Sequence, residues 1–328
     1  MKLSIVLLNW NGKLLLKRFL GNLIKHTPNA SIYIVDNLSD DDSIKFLQKF
    51  QKHIKIIRLP RNLGYAKAYN YALKNIDSDV YCLINNDVMV TKDWTLSIMS
   101  YFNNKNIDIA QPLILDFKRK DKFEYAGAAG GFIDKFGYPF CRGRIFDKVE
   151  HNLGQYNDSI NIFWASGACF FVNKKTWNLL GGFDEDFFMH QEEIDFCWRA
   201  INLNKRVICV SDSKVFHIGS GSNLPSDDKV YFNHRNSLLS IVKNVDKKNL
   251  FIVLFIRSIF EFTAVFFYLV KGEVSKSYRV IKAYFNFIFL FTKFYKKRNN
   301  NNFSIKYYER VSILFDFYMF GKNKFSDF

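Results

Sequence analysis

The chain has 328 residues, of which 48% are hydrophobic and 24% are charged. This composition excludes wholesale disorder and allows one large α/β domain with an appendage. The formal net charge of +16 predicts an anionic partner, which would be nucleic acid, a membrane surface or a phosphorylated small molecule.

The first apolar run, residues 3–8, is too short for the core of a signal peptide and predicts a strand. The five cysteines are scattered and include no CxxC pair. This usage is typical of reduced, mostly buried thiols, and it predicts a cytosolic protein.

Strand and helix patterns alternate over roughly the first 115 residues. Short apolar runs predict strands, and the amphipathic segments between them predict helices. Such alternation favours a parallel sheet covered on both faces. The predicted strands are "LSIVLL", "SIYIVD", "IKIIRL" and "VYCLIN", and the predicted helices are "GKLLLKRFLGNLIKHT", residues 43–51 and "YAKAYNYALKNI".

Three of the predicted strands end in polar residues. In open α/β sheets, ligands bind beyond the carboxyl ends of the strands, so these residues are candidates for a binding site. An aspartate at such an end is also a common helix cap or turn residue, and Asp40, Asp41, Asp42 and Ser43 suit that simpler role. The three polar ends are Asn9-Trp10-Asn11, Asp36-Asn37 and Asn85-Asn86-Asp87.

Gly64 lies at the start of the third predicted helix, in "RNLGYAKAYNYAL". A glycine there lets the backbone approach a ligand closely, and a helix N-terminus favours a phosphate. The segment is neither a GxGxxG motif nor a P-loop, which disfavours dinucleotide or Walker-type binding.

Residues 116–160 are Gly-rich and predict loops with short strands. The densest acidic cluster then follows in "GGFDEDFFMHQEEIDFCWR". These acids could cap the amphipathic helix that follows. Alternatively, Glu192 and Glu193, which lie between aromatic residues and that helix, could have a raised pKa and act as a base. His217, after the strand "KRVICV", is either a metal ligand, a phosphate contact or a structural histidine.

Together these segments resemble glycosyltransferase family 2 proteins with a GT-A fold, and within them the bacterial rhamnosyltransferase-like group of cell-surface polysaccharide assembly. The resemblance covers roughly residues 3–245, and the order and spacing of its segments make it specific. The segments are "SIVLLNWNG", "IVDNLSDDDS", "RNLGYAKAYNYAL", "LINNDVMV", "WASGACFFV", "GGFDEDFFMHQEEIDFCWR", "VFHIGSGS" and "YFNHRNSLLSIVKN".

The resemblance implies a Rossmann-like, mixed and mostly parallel sheet with flanking helices over residues 1–240. It also implies transfer of a sugar, with inversion at the anomeric carbon, from a nucleotide-diphosphate donor such as dTDP-rhamnose or a UDP-sugar. The acceptor would be a glycan or a saccharide linked to a lipid such as a polyprenyl diphosphate.

The family's site residues can be placed on this sequence. Its acidic metal-binding motif falls on Asn85-Asn86-Asp87, so Asp87 alone would hold Mn²⁺ or Mg²⁺, with His217 completing the shell. The nucleotide-sugar would be bound by Asn9, Trp10, Asn11, Asp36, Asn62, Gly64, Asn86 and Asp87, and the acceptor-side loop would comprise Trp164, Ser166 and Gly167.

The family's catalytic base is the second acid of an "ED" pair, which is Glu192-Glu193 here. Glu193 is therefore the predicted base, with Asp195 as the alternative. Arg235 and Asn236 match a downstream pair for which a phosphate contact or a structural contact is expected.

After about residue 230 the alternation stops and the pattern becomes helical, so residues 241–328 are predicted to form a basic, Phe-rich helical extension. The apolar segment of residues 250–270 approaches the length of a membrane span, but it contains Arg257 and Glu261 one helical turn apart. Basic, aromatic helices of this kind favour in-plane association with anionic lipid at the inner face of the cytoplasmic membrane. A span, packing against the catalytic domain and a homodimer contact are the alternatives.

Two other functions compete with catalysis. The missing first acid and the Glu-Glu pair leave open a catalytically inactive protein that binds a nucleotide-sugar or a glycan on the same fold. A nucleic-acid binder is motivated only by the net charge of +16. It is disfavoured because the excess charge lies beside a Phe-rich helical tail.

Overall fold

The computed structural model describes residues 1–219, 226–298 and 306–328. Within these residues the fold is built from one large and one small sheet, with helices packed around them. The strands are β1 (Leu3–Asn9), β2 (Ser31–Asp36), β3 (Ile54–Arg58), β4 (Val80–Asn85), β5 (Val88–Val90), β6 (Ile109–Asp116), β7 (Gly131–Ile133), β8 (Pro139–Cys141), β9 (Arg144–Ile145), β10 (Lys148–Val149), β11 (Ile160–Asn161), β12 (Cys169–Asn173) and β13 (Val207–His217). The helices are α1 (Lys13–Lys25), α2 (Ser43–Leu47), α3 (Gly64–Leu73), α4 (Trp94–Asn104), α5 (Lys174–Leu180), α6 (Glu192–Asn202), α7 (Ser226–Asn244), α8 (Leu250–Val270), α9 (Val274–Lys296) and α10 (Ile313–Tyr318).

The large sheet has the order β11-β13-β6-β12-β4-β1-β2-β3, with β5 paired to β13. Strands β4, β1, β2 and β3 run parallel, as predicted, and β12 is inserted antiparallel between β4 and β6. The predicted mixed α/β fold with a helical extension is therefore confirmed.

Both faces of the large sheet are buried, which explains the continuous apolar runs in its strands. In β1, Ile5 and Leu7 point to the face covered by α1 and α4, whereas Val6 points to the face covered by α3 and α6. All five cysteines are free and buried, as the sequence predicted.

The irregular region between β6 and β12 contains the small antiparallel sheet, in the order β10-β9-β8-β7. Its short strands agree with the predicted loops and short strands. Three elements were missed: β5, α4 and β6, which lie between the fourth predicted strand and this region. The predicted strand "KRVICV" is longer than expected, because β13 continues through an irregularity after Val210 as far as His217.

The predicted boundary between residues 240 and 241 falls inside α7. Buried side chains after it, Ile241, Val253 and Ile313 among them, belong to the same hydrophobic core as side chains of the large sheet. The division of the chain at residue 240 therefore stays a prediction.

One helix within the described residues, α8, is long and apolar enough to cross a membrane by length and composition alone. Its predicted pair is present, because Arg257 Nε donates to Glu261 Oε1 at 2.8 Å, and both side chains are buried.

Candidate active site

The polar strand ends lie together at one edge of the large sheet. β1 is hydrogen-bonded between β2 and β4, and the parallel registers place Asn9 beside Asp36 and Leu8 beside Asn85. Parallel strands bring their carboxyl ends to a common edge, so the sequence pattern correctly predicted this grouping.

A hydrogen-bond network fixes the buried polar groups at this edge. The Asn9 amide donates to Asp36 Oδ1 at 3.3 Å and to Ser39 Oγ at 3.1 Å, and the Asn86 amide donates to Asn9 Oδ1 at 3.0 Å. The Ser39 backbone N–H donates to Asp36 Oδ2 at 3.1 Å. Asp36 is thus held in one orientation by Asn9 and Ser39, and Asn86 joins the network through Asn9. Ser39 is a member that the sequence analysis missed.

Trp10 and Asn11 form the rim above this network. Trp10 is 47% exposed, which leaves a large aromatic surface beside the strand ends. Asn11 takes a left-handed φ of 51°, with its backbone N–H donating to Ser39 Oγ at 3.0 Å and its side-chain oxygen accepting from the Asp40 N–H at 2.9 Å. These bonds hold the turn so that the indole stays exposed to solvent.

Gly64 is required by its backbone conformation and by its contact with Phe188, and not by close approach to a ligand. Its φ is +74°, and an added Cβ would lie 2.9 Å from the ring of Phe188. Asn62 Oδ1 accepts from the Gly64 N–H at 2.9 Å, and the Tyr65 N–H donates to the Phe188 carbonyl at 3.2 Å. The start of α3 therefore contacts the segment that precedes Glu192-Glu193.

Asp87 and His217 meet at the same edge of the sheet. β5 pairs with the end of β13, and this pairing places His217 Nε2 3.0 Å from Asp87 Oδ1. On its other side, His217 Nδ1 lies 3.2 Å from Glu124 Oε1. Burial by itself would lower the pKa of His217, but hydrogen bonds with Asp87 and Glu124 raise it to about 10. His217 therefore lies between the buried carboxyl groups of Asp87 and Glu124, with one ring nitrogen close to each.

Glu124 was not selected from the sequence. It lies in the Gly-rich segment before β7, and its side chain is buried. The signal that could have found it is a lone acid among small and aromatic residues, in "FEYAGAAGG". Residues 220–222 of the motif "VFHIGSGS" lie outside the described residues.

The Asp87 and His217 side chains suit a divalent ion only in part. A carboxylate oxygen and an imidazole nitrogen are suitable ligands for Mn²⁺, and an ion would displace the imidazole proton. Within residues 1–219, 226–298 and 306–328, no group of three or more His, Cys, Asp or Glu side chains is arranged to hold a metal. A metal at this position would therefore depend on oxygen ligands from a bound diphosphate.

Glu192 and Glu193 begin α6, and their carboxyl groups are buried. In the part of the chain that is described, neither Glu192 Oε2 nor Glu193 Oε2 has a hydrogen-bond partner. Burial raises the pKa of Glu193 to about 7, and burial together with the neighbouring Glu193 charge raises that of Glu192 well above its usual range. A carboxyl group with a pKa near neutrality suits a general base.

The pair lies at the same edge of the sheet as Asp87. Gly167 precedes β12, which runs antiparallel to β4 and so begins where β4 ends. An added Cβ at Gly167 would lie 3.9 Å from Glu193 Cδ, and the Tyr65 hydroxyl donates to the Gly167 carbonyl at 2.8 Å. The fold therefore gathers the acid pair and the Asp87 site at one edge, although they are about a hundred residues apart in sequence.

The other acceptor-side candidates are buried behind this edge. The Trp164 indole donates to the Phe132 carbonyl at 2.9 Å, and its ring packs against Gly131. The Ser166 hydroxyl donates to the Ala126 carbonyl. Both side chains support the loop, and Gly167 is the member that approaches Glu193.

Arg235 and Asn236 hold the segment that leads into the acid pair. In that segment Phe188, His190 and Gln191 all have positive φ angles, of 64°, 64° and 72°. The Asn236 amide donates to the carbonyls of Phe187, Met189 and His190 at 3.1, 2.8 and 2.7 Å. Arg235 donates to the Phe187 carbonyl at 3.1 Å. Of the two contacts expected for this pair, the structure shows the structural one.

Asp195 does not fit the alternative role of base. Its carboxylate accepts from Arg199 at 2.8 Å, from Lys243 at 2.9 Å and from Asn244 at 2.8 Å. Burial alone would raise its pKa, but the charges of Lys243 and Arg199 hold it below its usual value. A carboxylate neutralised in this way is a weak base, so the geometry favours Glu193 over Asp195 as the candidate.

Asn236→Ala should remove the hydrogen bonds between α7 and the loop of residues 187–191. The change removes three donated hydrogen bonds from a backbone of unfavourable φ angles, and we expect a loss of about 1–3 kcal/mol in unfolding free energy. Urea denaturation measures this loss. The matched control is Asn202→Ala, which removes a single bond to the Asn244 carbonyl and should cost less. An equal loss in the two variants would contradict the role given to Asn236.

Comparison with known proteins agrees with this geometry. The model of the family described as glycosyl transferase family 2 matches residues 4–177, more than half of the chain. A dTDP-rhamnosyl transferase of Shigella flexneri, RfbF, is 26% identical over 66% of this chain and 72% of its own length. An N-acetylglucosaminyl-diphospho-decaprenol L-rhamnosyltransferase of Mycobacterium tuberculosis is 22% identical over 62% of this chain and 71% of its own.

Solved structures share the fold. The mannosyltransferase PcManGT of Pyrobaculum calidifontis, in complex with GDP-Man and Mn²⁺, superimposes with a TM-score of 0.55. The alignment covers 88% of this chain and 87% of the mannosyltransferase, at 10% identity, so it bears on the fold alone. With the family model spanning β1 to α5, the chain belongs to glycosyl transferase family 2.

Proposed function

We propose that the protein transfers a sugar, with inversion, from a nucleotide-diphosphate donor to a saccharide acceptor. The observation that carries the proposal is the meeting of two chemistries at one sheet edge. A buried Asp-His pair suits the diphosphate side, and a carboxyl group with a raised pKa suits the acceptor side.

The names of the relatives support a choice of substrates. A dTDP-rhamnosyl transferase is among them, which favours dTDP-rhamnose as the donor, with a UDP-sugar as the alternative. A relative named for a diphospho-decaprenol substrate favours a lipid-linked acceptor. Both substrates fit a role in cell-surface polysaccharide synthesis on the cytoplasmic side of the membrane.

The donor would bind along the polar strand ends. The exposed indole of Trp10 offers a surface for stacking a base, and Asp36, whose carboxylate is fixed by Asn9 and Ser39, accepts hydrogen bonds from the nucleoside. Asp87 and His217 would hold Mn²⁺ or Mg²⁺, which neutralises charge on the diphosphate when bound.

Glu193 would act on the acceptor. Its carboxylate takes the proton of the acceptor hydroxyl as that oxygen forms a bond to the anomeric carbon, and the bond from this carbon to the phosphate oxygen breaks. The diphosphate leaves with the bonding electron pair on the opposite face, so the anomeric centre inverts, by the geometry of inverting glycoside hydrolysis.

An inactive nucleotide-sugar or glycan-binding protein is the remaining alternative. Such a protein would need neither a general base nor a carboxyl group with a raised pKa. The buried carboxyl groups of Glu192 and Glu193, whose Oε2 atoms have no hydrogen-bond partner among the described residues, would only destabilise it. The cost of burying Glu192 and Glu193 therefore favours catalysis.

Nucleotide binding by calorimetry tests the donor site. We expect one of UDP, dTDP and GDP to bind in the presence of Mn²⁺, and Asp87→Ala to weaken that binding by at least about tenfold, because a charge-assisted contact is lost. Mn²⁺ without nucleotide should bind weakly, since the described side chains form no complete metal cage.

Asp121→Ala is the matched control. Asp121 also pairs with a histidine, His151, at 2.8 Å, but on the exposed surface. This variant should bind nucleotide as the wild type does. Tight binding by Asp87→Ala, or no binding of any nucleotide to the wild type, would remove the proposed donor site.

A further inference from the structure

The outward side of α8 is apolar over its whole length. We call it the outer face and define it by Phe251, Phe255, Ile259, Phe262 and Phe266, which are 50–66% exposed. Their spacing of three and four residues places them on one stripe of the helix. The two charged residues of α8, Arg257 and Glu261, are buried on the opposite side. An exposed apolar stripe of this extent indicates an interaction surface.

The inner side of α8 is fixed to the rest of the protein by a buried ion network. Glu261 lies 2.8 Å from Arg257 Nε and 2.5 Å from His234 Nδ1 of α7. Arg257 also donates to the Phe136 carbonyl at 3.1 Å, and its guanidinium lies 3.5 Å from the centre of the Tyr138 ring. Crossing a bilayer would pull these charges into hydrocarbon, so the network keeps α8 outside a transmembrane position.

α9 runs back along α8, and lysines of α9 and of the turn before it lie outside the ion pairs of the described residues. The short turn between them makes the two helices antiparallel, and the Tyr284 hydroxyl donates to Ser258 Oγ at 2.8 Å. Lys271, Lys282 and Lys296 have no ion pair with an acidic residue in the described parts of the chain. The apolar stripe is thus accompanied by cations that are free to meet anions.

We propose that the outer face binds the surface of an anionic lipid bilayer, with α8 and α9 lying in the membrane plane. The apolar residues enter the boundary between headgroups and acyl chains, and the lysines meet the lipid phosphates. A second copy of this chain fits the surface less well. Each copy has a net charge of +16, and pairing would bring Lys271, Lys282 and Lys296 of the two copies towards one another.

The C-terminal end of α9 and Lys297 after it also hold the loop that precedes the acid pair. Lys293 Nζ lies 2.7 Å from Asp186, Lys297 Nζ lies 2.6 Å from Asp184, and Phe294 packs on Phe187 with ring centres 5.6 Å apart. A membrane bound to the outer face would therefore be fixed relative to the active-site edge. The proposal rests on surface chemistry and does not depend on the proposed transfer reaction.

Vesicle sedimentation tests the proposal with the full chain. We expect binding to phosphatidylcholine vesicles that contain phosphatidylglycerol and weak binding to phosphatidylcholine alone. The triple variant Phe255→Gln, Ile259→Gln, Phe262→Gln should bind at least about tenfold more weakly, because three apolar anchors are lost. Each of Lys271→Gln, Lys282→Gln and Lys296→Gln should weaken binding by about fivefold at low salt.

The control triple variant is Leu96→Gln, Leu153→Gln, Leu179→Gln, which removes three exposed apolar residues from other surfaces and should bind normally. Circular dichroism checks that all variants fold, and nucleotide calorimetry reports separately on the donor site. Equal vesicle binding by the two triple variants would overturn the proposal. So would wild-type protein that stays in the membrane during an alkaline carbonate wash, because this result would show a membrane span. A wild-type dimer that dissociates only in the α8 variant, without vesicle binding, would also overturn it.

Discussion

Glu193→Gln should lower the rate of sugar transfer by about a hundredfold to ten-thousandfold and leave nucleotide binding unchanged. The amide keeps the size of the side chain but cannot take the acceptor proton. The measurement is release of nucleotide diphosphate from the donor in the presence of a saccharide-lipid acceptor, with calorimetry for binding. Loss of binding in parallel with activity would mean that Glu193 supports the donor site.

The pH profile adds a second readout for the same residue. Because burial raises the pKa of Glu193 to about 7, the rate should increase with pH up to this value, as the base becomes ionised. The control is Glu185→Gln, an exposed acid that pairs with Lys67 at 3.3 Å and should leave both rate and profile unchanged. A rate independent of pH between about 5 and 8 would contradict the assignment.

Glu193→Gln should also increase stability at neutral pH. The folded pKa lies above the ordinary value, so the folded state keeps its proton longer than the unfolded state does. Stability contributed by this group is therefore present at low pH and is lost as pH rises from about 4.5 to about 7. The glutamine variant lacks this loss, and urea denaturation at pH 5 and pH 8 compares the two proteins.

Arg257→Met should reduce the unfolding free energy by about 3–5 kcal/mol. The change leaves Glu261 buried with His234 as its remaining partner, and it removes the bond to the Phe136 carbonyl. The matched control is Lys276→Met, whose partner Glu273 is partly exposed at 2.9 Å. That variant should lose less than about 1 kcal/mol. Similar losses in the two variants would show that the buried network contributes no more than a surface pair.

The same network predicts a response to acid. Burial alone would raise the pKa of Glu261, but the charges of His234 and Arg257 lower it to about 2. A group with a lowered folded pKa contributes stability above its ordinary value of about 4.5, and that stability is lost as pH falls towards about 2. Glu261→Gln should flatten this part of the stability curve in acid denaturation.

Much of the active-site edge could be predicted from local pattern. Alternating apolar runs and amphipathic helices predict a parallel sheet, and parallel strands must gather their carboxyl ends, so Asn9, Asp36 and Asp87 could be grouped before any coordinates. The raised pKa of Glu193 could also be anticipated, because this residue lies between aromatic residues and an amphipathic helix. These inferences depend on hydrophobic periodicity over a few residues, and that periodicity is visible in the sequence without coordinates.

Contacts between distant segments could not be predicted in this way. Glu124 joins His217 from 93 residues away, and Asn236 reaches three carbonyls of the loop before Glu192. Asp195 resembled a free acid in the sequence, but Lys243 and Arg199 neutralise it in the fold. Side-chain pairing over such separations depends on how whole elements pack.

The sequence by itself determined the class of fold, the edge of the sheet that would carry polar chemistry and the amphipathic character of the C-terminal helices, because hydrophobic periodicity encodes which faces are buried. Only the tertiary structure decided which carboxylates are neutralised, what holds the loop that precedes Glu192-Glu193 and which side of α8 faces outwards. Those outcomes depend on burial and on charges brought together from distant segments, and both exist only after the elements have packed.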